Sequence, residues 1–118
     1  MPPARAAEDP QPEMAERAYT AIVEMQPNES ESHTMLAEIR QEQDRWNDAI
    51  NHWRRVADLR ALEPTGLISL AKAQLHEKQW DAAGETIRKL RQRSWPSRFD
   101  RADTEIRNLE YALERKEE

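Results

Sequence analysis

The chain has 118 residues, a net charge of −5, 37% apolar and 35% charged residues, and no cysteine. That length suits one domain or one piece of a larger array, and the missing thiols exclude a disulfide framework and thiolate chemistry. Few apolar residues among many charges fit thin amphipathic helices better than a thick layered core, and plentiful Ala, Glu, Arg and Leu beside only two glycines predict an all-α protein.

Residues 1–12, MPPARAAEDPQP, read as a disordered Pro-rich tail without the apolar centre of a signal peptide. No apolar run approaches the ~20 residues of a membrane span. The default expectation is a soluble cytoplasmic protein without membrane contact, or a segment of a longer one. A helix over 13–26 carries two apolar stripes. Ala15, Tyr19 and Ile22 form one, and Met14, Ala18, Ala21 and Met25 form the other at 4,3,4 spacing.

Pro27 and the polar run NESES open a helix over 30–43, with Leu36, Ala37 and Ile39 on one side. After a turn at Asp44-Arg45, a helix over 46–60 places Ala49, Ile50, Trp53, Val56 and Ala57 at helical spacing. Pro64, suited to an opening turn, starts a second pair over 65–78 and 80–93, which ends at Trp95-Pro96. In residues 97–118, Phe99, Ala102, Ile106, Leu109 and Leu113 follow 3,4,3,4 spacing, the single stripe of a helix that covers what precedes it.

The two pairs are one pattern written twice. Leu36-Ala37 falls on Leu70-Ala71, Trp46 on Trp80, Ala49 on Ala83, Trp53 on Ile87 and Val56 on Leu90, each offset by 34 residues. A further step back reaches Ala15, Tyr19 and Ile22, the second half of an earlier unit. This pattern over 13–96 resembles the tetratricopeptide repeat (TPR) family, in which small residues let paired helices approach and an aromatic plugs the turn. His33 and Leu67 stand where that family often has Trp, and Arg40 and Gln74 where it often has Tyr. The resemblance implies an α-α solenoid, a right-handed superhelix of about two and a half helix-turn-helix repeats, capped by the helix of residues 97–118.

Catalytic chemistry finds no foothold. His33, His52 and His76 lack metal-ligand spacing, no glycine-rich phosphate loop occurs, and no serine has a nameable His and Asp partner. The reading names no catalytic residue, metal ligand or cofactor and expects a non-catalytic protein.

The family resemblance implies a scaffold whose first helices line a concave groove for a partner peptide or helix. Groove-facing candidates are Thr34, Glu38, Gln41 and Glu42, then Ile68, Lys72, Leu75 and His76. The first unit is acidic and lacks the Lys, Asn and Arg clamp of the family's chaperone-tail binders, so chaperone C-termini are not expected. The stripe Met14, Ala18, Ala21 and Met25 is a candidate self-association face, to be covered by a second copy or by a preceding repeat of a longer protein. A rival reading is nucleic-acid or anion binding through Arg88, Lys89, Arg91, Arg93, Arg98 and Arg101, with Trp95 as a stacking platform. The sequence pI of about 5.3 disfavours it.

Overall fold

The computed structural model describes residues 11–116. Six α-helices follow one another among them: α1 Gln11–Met25, α2 Ser30–Glu42, α3 Trp46–Leu59, α4 Thr65–His76, α5 Trp80–Arg91 and α6 Ala102–Glu114, with a 3₁₀ turn Ser97–Phe99 before the last. No strand occurs among the described residues. Each helix packs on its neighbour in sequence, and α6 also touches α4. Residues 1–10 of the expected tail lie outside the described residues. Helix α1 starts two residues earlier than expected because Pro12 lies in the first turn, where a missing N–H breaks no intrahelical bond.

The helix starts and stops have local causes. At the head of α2 the Glu29 carboxylate accepts from the backbone N–H groups of Ser32 (2.8 Å) and Glu31 (3.3 Å), a side-chain N-cap. A side-chain hydrogen bond from Ser32, and then these backbone bonds, hold its carboxyl below the usual range. Helices α2 and α4 each end in the same left-handed turn. Asp44 has φ 63° and Lys78 has φ 59°. Beyond them the Arg45 N–H reaches back to the Arg40 carbonyl (2.7 Å) and the Gln79 N–H to the Gln74 carbonyl (2.9 Å). This is the six-to-one bond of a Schellman cap, built on residues that carry a Cβ. It stops α4 at His76, two residues short of the sequence expectation. Extended Pro96 and a turn closed by Phe99 N–H on its carbonyl (2.9 Å) delay α6 to Ala102.

Burial repeats with the same 34-residue offset. Leu36 and Leu70, Ala37 and Ala71, Ala49 and Ala83, Trp53 and Ile87, Val56 and Leu90 are all buried. Ala37, Ala49, Ala71 and Ala83, each at zero exposure, let the helices of each pair approach closely. Between the pairs the helix backbones also come close. A Cβ on Gly66 of α4 would lie 2.8 Å from the backbone nitrogen of Ala57 in α3. Ile106 and Leu109 of α6 join the core cluster, and Leu113 packs at its edge.

The tryptophans divide by role. Trp53 is buried at 5% exposure, and its Nε1 donates to Gln41 Oε1 at 2.6 Å, which ties α3 to α2. Trp46 and Trp80 are half-buried. Trp46 stacks on His76 with ring centroids 3.8 Å apart and donates to Asp44 Oδ1 (3.1 Å). It therefore bridges from the start of α3 to the end of α4, the next unit, besides closing its own turn.

Candidate partner-binding cleft

The groove positions drawn from the sequence separate into two groups. On α2, Glu38 and Glu42 are exposed, the Thr34 hydroxyl donates back to the Ser30 carbonyl (3.1 Å), and Gln41 is half-buried under Trp53. On α4, Ile68 and Leu75 are half-buried against the core cluster. Lys72 is exposed and pairs with Glu105 of α6 at 3.4 Å. His76 carries the Trp46 stack and sits 3.2 Å from the Glu77 carboxylate.

Ile68 and Lys72 come together with the approach to α6. An open cleft of about 350 Å³ lies there, with Pro64, Ile68 and Lys72 on one wall and Arg98, Phe99, Arg101 and Ala102 on the other. Buried Pro64 and Ala102 and half-buried Ile68 and Phe99 are its apolar side chains. Arg98 lies over the Phe99 ring, its guanidinium carbon 4.7 Å from the ring centroid. No ion pair holds Arg98 or Arg101 among the described residues. Asp100 and Glu105 also border the cleft, and Glu105 is taken up by Lys72. Thr34, Glu38, Gln41 and Glu42 are not part of it. On the α6 wall, Arg98 and Arg101 belong to the basic stretch singled out from the sequence, whereas Phe99 and Ala102 count there only as members of the covering stripe, although a stripe that begins in a loop has one end open.

A second cleft, of about 570 Å³, runs between α1 and α2 and is bordered by Glu13, Glu16, Arg17, Thr20, Ala21, Glu24 and Arg40. Arg40 and Glu16 form an ion pair across it, and the Gln43 amide donates to the other Glu16 oxygen at 2.9 Å. These two bonds, the Arg40 one first, hold the Glu16 carboxyl below the usual range.

The candidate self-association face is open. Helix α1 half-buries Ala15, Glu16, Tyr19, Thr20 and Val23, the side packed on α2. Met14 is 59% and Met25 80% exposed, and Ala18 and Ala21 are exposed between them.

The basic stretch is partly neutralised within the chain. Arg88 pairs with Glu85 at 2.6 Å, and Arg91 is held by both Asp103 (2.9 Å) and Glu110 (3.0 Å). These bonds raise the Arg91 pKa further and push the two carboxyls down. The Trp95 indole donates to the Leu90 carbonyl (3.0 Å), and Arg93 lies 4.7 Å from the centroid of its ring. One stacking face is thus taken.

Two histidines form a pair. His33 is buried, and its Nε2–H donates to the Pro27 carbonyl at 2.9 Å. Its Nδ1 is left as acceptor for the Nδ1–H of His52, 3.1 Å away. Arg55 donates to the same Pro27 carbonyl at 3.1 Å, so the link between α1 and α2 is fastened to α3. No group of three His, Cys, Asp or Glu side chains among the described residues is placed to hold a metal ion. No described helix is long and apolar enough to cross a membrane. No protein-family model matches the chain, and no curated protein matches it.

Proposed function

We propose that this chain is a tetratricopeptide-like α-α solenoid acting as a non-catalytic protein-interaction scaffold, with the cleft between α4 and α6 as its partner site. What supports the solenoid is the repetition at 34 residues of burial, of the turn between paired helices (Glu42 to Trp46, His76 to Trp80) and of its left-handed residue. The observation that carries the function is the cleft itself: an apolar floor at Ile68, Phe99 and Ala102 beside two guanidinium groups, Arg98 and Arg101, that have no ion pair among the described residues. A partner segment that inserts an apolar side chain and presents a carboxylate to those arginines fits this arrangement. A non-catalytic role agrees with the histidines, because His33 and His52 hold each other and His76 lies under Trp46.

Selection from a random peptide library on the immobilised protein tests the reading. Enriched peptides with an apolar residue near Asp or Glu are expected, and they are expected to lose binding to the Arg101→Glu variant. An absence of enrichment, or enrichment of basic peptides insensitive to that change, overturns it. The nucleic-acid reading has weaker support, since Arg88 and Arg91 are already paired and Trp95 is already bonded.

A further inference from the structure

The open face of α1 has an internal symmetry. Along it the order is Met14, Ala18, Ala21, Met25, the same from either end. Large side chains stand at the ends and small ones in the middle, on the exposed side of the helix, with Ala21 at the rim of the cleft toward α2. The 4,3,4 spacing is that of a coiled-coil seam. Beside the seam, on one flank, stand Arg17 and Glu24, both exposed and without ion pairs among the described residues.

The geometry points to a second copy of this chain as the occupant, with the two α1 helices antiparallel about a twofold axis. In that register Met14 meets the partner's Met25 and Ala18 meets the partner's Ala21. The alanines allow the helix axes to approach, and the flexible thioethers close the two ends. The same register sets Arg17 beside the partner's Glu24, and by symmetry Glu24 beside the partner's Arg17. A parallel pairing does not bring these charges together, so the charge pattern selects the antiparallel arrangement. Arg17, Ala21 and Glu24 also border the cleft between α1 and α2, so the partner helix lies along its open side. The seam spans only about 18 Å of helix, and such a contact buries less than the ~1,200 Å² typical of stable complexes. The dimer is therefore reversible and depends on concentration.

Charge reversal tests the register. Sedimentation velocity over a concentration series is expected to show the wild-type chain passing from monomer to dimer. Arg17→Glu alone and Glu24→Arg alone place like charges across both symmetric contacts, and each is expected to weaken self-association about tenfold. An equimolar mixture of the two variants restores complementarity only in the heterodimer, and is expected to recover wild-type affinity. Both residues are exposed, so unchanged thermal melts serve as the folding control. A wild-type chain that stays monomeric throughout overturns the proposal, whether solvent or another segment covers the stripe. Single variants that dimerise as well as wild type, or a mixture that fails to recover, overturn it too.

Discussion

Asp44 and Lys78 stand 34 residues apart and adopt the same left-handed backbone conformation, at φ 63° and 59°. Glycine is the usual residue at such a helix end, because a Cβ there crowds the carbonyl. Asp tolerates this region better than Lys does, and the Asp44 carboxylate also accepts from Trp46. Lys78→Gly is therefore expected to stabilise the fold by about 0.5–1 kcal/mol, while Asp44→Gly gains little because it loses that bond. Thermal melts of the two variants check the difference in size.

The two glycines predict opposite outcomes. A methyl on Gly66 would press on the Ala57 backbone, which cannot yield as a side chain can. Gly66→Ala is expected to cost about 1–3 kcal/mol through overpacking between α3 and α4. A methyl on Gly84 would meet only Leu113 Cδ2, at an ordinary 3.7 Å. Gly84→Ala is expected to stabilise α5 by about 0.5–1 kcal/mol, the usual helix preference for alanine. Urea denaturation of both variants gives the comparison.

Much of this was legible in advance because helical repeats advertise themselves. The positions that recur at 34 residues must be small or apolar for one reason each, so Ala49 and Ala83, or Trp53 and Ile87, announce a shared environment. Asp44 and Lys78 share a backbone conformation but no chemistry, and a sequence comparison passes over them. Helical spacing alone does not decide between exposure and half-burial of Ile68 and Leu75, because it gives a face, not the neighbour that covers it. Phe99 was obscured for a related reason. It continues the α6 stripe in spacing but sits in a 3₁₀ turn, where it lines the cleft as well.

The tryptophans are expected to differ in energetic weight. Trp53 is buried and bonded to Gln41, so Trp53→Ala should cost about 3–5 kcal/mol. Trp46 is half-buried over His76, and Trp46→Ala should cost nearer ~1–2 kcal/mol on the area removed from water. Emission spectra of single-tryptophan variants should be blue-shifted for Trp53 relative to Trp46, and chemical denaturation should rank the two costs in the same order.

Stability should fall as the solution becomes mildly acidic. Burial, then the neighbouring His33 and Arg40, hold the His52 pKa below its ordinary 6.5, and Asp48 opposes them only in part. The unfolded chain then binds a proton before the folded one does. The loss begins as pH drops through about 6.5 and is complete below the lowered folded-state pKa. His52→Gln is expected to remove this slope. The further loss below pH ~4.5 should remain, since it belongs to Glu16, Glu29, Glu110 and Asp103, whose carboxyls are held low by their bonds. Melting midpoints across the pH range separate the two windows.

The interaction site itself is reached most directly by amide NMR of the isotope-labelled chain, titrated with a peptide taken from the library selection. The expected shifts cluster on Ile68, Lys72, Phe99, Arg101 and Glu105, around the cleft between α4 and α6, and both shifts and binding are lost in Arg101→Glu. Shifts centred on Arg54, Glu85 and Lys89, which border a different cleft among α3, α4 and α5, with binding unchanged in Arg101→Glu, would contradict the assignment.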